Sequence, residues 1–143
     1  MKCKIIVDPL CDERVDIYTR TPSAEAEAIQ RFVEEQQPPL LGFREREATP
    51  LDVEAVVCIL SEDDKTFALV GNERWQLRGR LYQLEQQFPQ LVRINQSCLA
   101  NLRQAARFET SLGGSLMILF KNGYRDYVSR RQLKFVKERL GLL

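Results

Sequence analysis

Leu116-Met117-Ile118-Leu119-Phe120-Lys121-Asn122-Gly123-Tyr124-Arg125-Asp126-Tyr127-Val128-Ser129-Arg130-Arg131 is the stretch on which the reading of the whole chain turns. Leu116 to Phe120 and Tyr124 to Val128 read as two strands joined through Asn122-Gly123, the strongest short hairpin signal a sequence carries. Directly after them the chain closes on a helix from about Ser129 to Leu140, with Gly141 as its stop. Leu133, Val136 and Leu140 form one face of that helix; Arg130, Lys134 and Lys137 form another, with Arg131 beside it. A basic face over a buried apolar stripe describes most amphipathic helices. Here a hydroxyl and two guanidiniums also stand at a helix start, where free backbone amides point outward, and such a group suits phosphate oxygens.

The same signals continue upstream. Leu40 to Arg46 and the more apolar Val53 to Leu60 read as strands, followed by the polar turn Ser61-Glu62-Asp63-Asp64-Lys65. Thr66 to Val70 and Trp75 to Leu77 make a hairpin around Gly71-Asn72. Gly79 to Phe88 is rich in helix formers, with Leu81, Leu84 and Phe88 on one face, and Pro89 stops it. Val92 to Ile94 and Ala105 to Glu109 read as strands flanking an irregular middle. At the other end of the chain, Lys2 to Val7 and Val15 to Thr19 alternate loosely as strands. Thr21-Pro22 looks like an N-cap and first helical residue, and Ala28, Ile29, Phe32 and Val33 supply a helical stripe that Pro38-Pro39 ends. The expectation is a mainly β chain with a small N-terminal β-β-α extension over residues 1–38 and a second domain over 39–143.

Charge is distributed unevenly over the 143 residues. From Leu91 to Leu143 ten Lys/Arg face three acids, a balance of +7, whereas residues 1–50 and 51–90 each stand at −3. The whole-chain value of +1 hides this localised positive field, and such a field attracts a polyanion. Nucleic acid is therefore the first partner to consider. No apolar run approaches the roughly 18 residues of a membrane span, no signal-peptide pattern opens the chain, and the expected location is cytoplasmic. Cys3, Cys11, Cys58 and Cys98 form no C-x-x-C pair and read as free thiols; a redox-sensing pair is the alternative. The chain has no histidine, the commonest general base and metal ligand, and no phosphate-binding glycine loop. Glu62-Asp63-Asp64 is its one dense acidic cluster, a solvated turn or a divalent-cation site. No catalytic residue, cofactor or metal ligand is assigned, and an enzyme is not expected.

Three segments in register carry a family resemblance: Leu91-Val92-Arg93-Ile94-Asn95-Gln96-Ser97-Cys98-Leu99-Ala100-Asn101-Leu102, then Phe120-Lys121-Asn122-Gly123-Tyr124, then Val128-Ser129-Arg130-Arg131 leading into the final helix. In this order and spacing residues 40–143 resemble the LytTR DNA-binding domain of bacterial transcription regulators. The resemblance implies a multi-stranded β fold with a short internal helix and a C-terminal helix, not a helix-turn-helix. It implies loops at one end of the sheets entering successive major grooves at paired repeat sites, with a homodimer as the consequence. By position it implies base reading by Asn95 and Gln96, both amides suited to adenine, and by Arg131, suited to guanine or phosphate. Arg130 and Lys134 would hold phosphates. Lys65 and Thr66 lie in the loop between the domain's first two strands, with the neighbouring acids aimed away. Arg93 reads as a phosphate ligand or a salt-bridge partner. Ser97 reads as a contact residue or a turn cap, and Asn101 as a turn cap. Many members have histidine where this chain has Asn95.

Lys4-Ile5-Ile6-Val7-Asp8 looks briefly like the first strand of a phospho-receiver domain, but about 40 residues cannot hold one. The chain instead resembles stand-alone LytTR regulators with a short extension, some of which are restrained by a membrane-protein regulator. The extension reads as a dimerisation or docking element, or as a cover for a sheet edge. The rival from another class is a protein-interaction module whose basic face meets an acidic protein without specific DNA binding. Salt separates the two, because phosphate binding weakens steeply with ionic strength.

Overall fold

The computed structural model describes residues 2–12, 14–35 and 38–142. The chain divides into two compact units, Met1–Gln37 and Pro38–Leu143. In the first, the helix α1 (Ala24–Glu34) begins two residues later than the Thr21-Pro22 signal suggests. Ser23 is its N-cap, and the Ser23 side chain accepts a hydrogen bond from the Ala26 amide at 3.1 Å. The two strands expected over Lys2 to Val7 and Val15 to Thr19 do not form among the described residues. Ile5, Ile6 and Val7 are all exposed. Strand propensity reports packing on a half-buried surface more than an intrinsic preference, and a lone two-stranded pair is marginal in water. Among its described residues the extension thus holds one helix and no strand, where β-β-α was expected.

The second unit is mainly β. A seven-stranded sheet runs in the order β2 (Glu47–Leu51), β1 (Leu40–Arg44), β5 (Glu73–Leu77), β4 (Lys65–Val70), β3 (Val56–Glu62), β7 (Cys98–Ala100), β6 (Val92–Asn95). A three-stranded sheet holds β10 (Arg125–Val128), β9 (Leu116–Phe120) and β8 (Ala105–Thr110). Two helices complete it: α2 (Leu81–Gln87) and α3 (Arg130–Arg139). Val56 through Leu60 are buried without a break, the pattern of a strand covered on both faces. One face carries Cys58, Leu60, Ile94 and Cys98 against Leu116, Ile118 and Phe120 of the small sheet and Val136 of α3. The other carries Ile59, Ala68, Leu77 and Leu99 against Leu81 and Leu84 of α2, with Phe88 just beyond it. So the two helices lie on opposite faces of the large sheet.

Several local expectations are refined. Leu40 to Arg46 is not one strand but the first half of the β1–β2 hairpin. Pro50 sits in β2 on the sheet edge, where a missing N–H disturbs no ladder. Gly42 lets β1 lie close to its neighbours, since an added Cβ would stand 2.8 Å from both Leu51 Cδ1 and Trp75 Cβ. The irregular middle after Ile94 contains β7, inserted between β6 and β3. In the β9–β10 hairpin Phe120 N donates to Tyr124 O at 2.8 Å, so the loop is three residues long. Gly123 takes the left-handed position at φ +91°, the pattern of a type I turn closed by a glycine bulge. Among the described residues no helix is long and apolar enough to cross a membrane.

Candidate nucleic-acid interface

Two chain reversals and the start of α3 form one continuous edge of the β unit. β3 turns into β4 through Asp63-Asp64, with Glu62 paired to Lys65. β6 turns into β7 through Gln96-Ser97, with Asn95 paired to Cys98. The Ser61 amide donates to Ser97 O at 2.9 Å, which places these two turns side by side. The Ser129 amide donates to Ile94 O at 2.8 Å, which anchors the start of α3 on β6 beside the second turn. Lys65, then Gln96, then Ser129-Arg130-Arg131 follow one another along this edge.

The candidate residues separate into those that face solvent and those that build the scaffold. Lys65, Gln96, Ser97, Arg130, Arg131 and Lys134 are exposed. Asn95 is not: it is 3% exposed, and its Nδ2 donates to Asp126 Oδ1 and to Tyr127 O, each at 2.9 Å, while its Oδ1 accepts from the Ser97 amide at 2.9 Å. A buried amide with both N–H donors engaged and its oxygen bonded inward has no donor to offer a base, so Asn95 is a strut between β6 and β10 that shapes the Gln96 turn. Thr66 is likewise buried at 5%, its hydroxyl donating to Gly79 O at 2.9 Å and facing Leu77 O at 3.3 Å. It ties the end of β5 to β4 and presents no group outward. Arg93 is partly buried. Its guanidinium donates to Gln96 O at 2.8 Å and lies 3.7 Å from Glu85, which makes it a brace for the turn, the salt-bridge reading of the two. Asn101 accepts from the Arg103 amide at 3.2 Å as a turn cap and also donates to Val56 O at 2.9 Å.

Sequence inspection missed the support behind Asn95. Tyr124 Oη donates to Asp126 Oδ2 at 2.8 Å, and the Tyr127 amide donates to Asp126 Oδ1 at 2.8 Å, so a single carboxylate collects Tyr124, Tyr127 and Asn95. Burial, together with the Asp126 carboxylate, pushes the Tyr124 phenol far above its usual range. Cys98 beneath is pushed far up as well, first by its hydrogen bond with Cys58, then by burial and by Asp126. Both thiols are buried in strands; Cys3 and Cys11 are exposed.

The positive charge also divides in two. Ion pairs occupy Arg93 with Glu85, Arg103 with Glu54, and Arg107 and Arg125 with Glu109. Among the described residues no ion pair engages Arg130, Arg131 or Lys134. The Ser129 side chain makes no capping hydrogen bond to the α3 backbone, although Ser129 occupies the N-cap position. Of the acids in the first turn, Glu62 is taken by Arg74, whose guanidinium also lies 3.9 Å from the Phe67 ring centroid. At the α3 start the edge therefore carries positive charge with no ion-pair partner beside an outward amide, Gln96, while Asp63 and Asp64 stand at the tip of the first turn.

Residues 46–141 match the family model described as the LytTr DNA-binding domain. The chain belongs to that family. LytTR domains are a DNA-binding family, not an enzyme family. A Staphylococcus aureus protein (strain NCTC 8325 / PS 47) named as an uncharacterized HTH-type transcriptional regulator is 31% identical over 104 residues, 72% of this chain and 71% of its own. A protein of the same printed description from strain MRSA252 is 31% identical over the same shares. Among solved structures, the LytTr DNA-binding domain of a Bacillus cereus protein named as a methyl-accepting/DNA response regulator shares the fold. The TM-score is 0.68 at 17% identity, over 73% of this chain and 98% of that one. The relatives' name speaks of a helix-turn-helix. In this LytTR chain α2 and α3 are separated by five strands, β6 to β10, and lie on opposite faces of the large sheet. The DNA-binding unit is a β scaffold that presents turns.

Proposed function

We propose that this LytTR chain is a sequence-specific transcription regulator of bacteria. Its Lys65 and Gln96 turns and the start of α3 enter the major groove of double-stranded DNA at paired repeat sites, one chain of a homodimer on each. The observation that carries the reading is the juxtaposition of the exposed Gln96 with Arg130, Arg131 and Lys134, none of which is held by an acid among the described residues. Guanidiniums and a free hydroxyl at a helix start hold phosphates. A side-chain amide on a tight turn reads the edge of adenine, and arginine reads guanine. The S. aureus relatives are named as transcriptional regulators, which supports the same reading.

The deciding experiment is binding of the purified chain to the DNA upstream of its own gene, titrated against salt and against random competitor duplex. Retention over competitor with a steep salt slope is the expected result, and footprinting would then show two protected repeats. Loss to competitor would remove sequence specificity from the reading. No binding even at low salt would favour a protein-interaction module and direct the search to a protein partner, a membrane-protein regulator among them.

A further inference from the structure

Arg78 lies outside every segment that carries the family resemblance, yet the strand register sets it beside Lys65. β4 and β5 pair Thr66 with Leu77, the last pair of their ladder, and the Thr66 hydroxyl donates to Gly79 O at 2.9 Å, so Arg78, the first residue beyond β5, lies next to the Lys65 end of β4. Two like charges brought together at the end of a strand pair are destabilising unless something compensates them. Glu62, the acid paired to Lys65 in the register, is bonded to Arg74 instead. Among the described residues no ion pair engages Lys65 or Arg78. Asp63 and Asp64 form the tip of the neighbouring turn and make no ion pair either.

Arg78 is also held in place without being neutralised. Its guanidinium carbon lies 4.5 Å from the centroid of the Phe43 ring on β1. Phe43 pairs with Gln76 in the register, so the ring stands on the sheet face that Lys65 shares. An arginine laid on an aromatic ring keeps its N–H edge open and loses little further freedom when that edge is used. A fixed, open guanidinium beside an ammonium is a site for an oxyanion.

We propose that Arg78, stacked on Phe43, grips together with Lys65 a phosphate of the DNA strand that the β3–β4 turn approaches. Arg78 is then a positioning residue that sets how deeply Lys65 enters the groove. This rests on the DNA-binding reading above. Phosphate contact is sequence-independent and salt-sensitive, and those two properties define its test.

The test is a salt titration of the full chain with its upstream DNA and, separately, with random duplex, for the wild type and for Arg78→Ala, Arg78→Lys and Phe43→Leu. Arg78→Ala should weaken binding several-fold and by the same factor on both DNAs, with a slope of log K against log salt shallower by about 0.9. Arg78→Lys should restore the slope, since charge is kept. Phe43→Leu should leave the slope alone and weaken binding, since only the brace is lost. Circular dichroism and a urea midpoint close to wild type confirm that each variant is folded. A slope unchanged in Arg78→Ala would overturn the proposal, as would a loss confined to the upstream DNA. Failure of the wild type to bind DNA would instead sink the functional reading on which it rests.

Discussion

Asn95 and Gln96 are neighbouring amides of nearly the same chemistry, and one folds the interface while the other faces outward. The difference lies in register. β6 carries an irregularity between Arg93 and Asn95, and Asn95 then pairs with Cys98, which leaves Gln96-Ser97 as the two-residue loop. Nothing in the residue types reveals that offset, so the sequence alone placed both as base readers. The outcome is testable on two axes. Asn95→Ala leaves the Asp126 carboxylate and Tyr127 O without a partner they have in the native core, and should lower unfolding stability by about 2 kcal/mol. Gln96→Ala removes an exposed group and should leave a urea melt unchanged while reducing preference for the upstream DNA over competitor. The reverse pattern would return the reading role to Asn95.

The same buried cluster sets a pH limit. Tyr124 and Cys98 have folded-state pKa values raised above those of the unfolded chain. The unfolded state therefore releases these protons first. Stability from this source is complete below the unfolded pKa values and is lost as pH rises above about 8.5 for a thiol and about 10 for a phenol. Unfolding free energy should fall with alkaline pH, beginning as the unfolded thiol ionises and more steeply once the unfolded phenol does. Tyr124→Phe should remove the later steepening, and Cys98→Ala the earlier onset. A flat profile between pH 8 and 11 would refute the linkage.

At the scale of the element, the hairpins were legible where glycine and asparagine mark their turns, or where acids cluster between two apolar runs as at Glu62-Asp63-Asp64, and the β1–β2 hairpin, with neither signal, was not. The β1–β2 turn has Glu45 at φ +52°, and the β3–β4 turn has Asp63 at +52° and Asp64 at +62°. These are left-handed positions that asparagine and glycine fill more readily. The β7 strand escaped for a different reason. Cys98-Leu99-Ala100 is only three residues long and buried throughout, so it shows no alternation to read. The N-terminal strands failed the other way, because alternation is present there without a surface to cover. The strained turn gives a prediction. Asp64→Gly relieves a left-handed non-glycine residue and should raise stability by about 1 kcal/mol in a urea melt. It also removes a negative charge next to Lys65, so binding to DNA at low salt should tighten. Weaker binding from the variant would mean that the Asp64 carboxylate itself takes part in recognition.

On the scale of the whole molecule, the asymmetry of charge was visible in the sequence, but its division was not. Of the ten basic residues beyond Leu91, Arg93, Arg103, Arg107 and Arg125 are spent on internal ion pairs. Arg130, Arg131 and Lys134 are exposed and start the helix at the interface. A binding model based on net charge alone would weight all ten alike; the fold weights these three. Replacing Arg130, Arg131 and Lys134 together by glutamine should therefore flatten the salt slope by about 2.7, three phosphates at about 0.9 each. It should leave the unfolding midpoint near that of the wild type, because none of the three packs in the core. Replacing Arg103 and Arg107 by glutamine removes two of the same charges, yet should leave the slope where it was, since those residues already face Glu54 and Glu109. If the two sets of substitutions flatten the slope in proportion to the charge removed, the DNA senses a diffuse field and not the built edge.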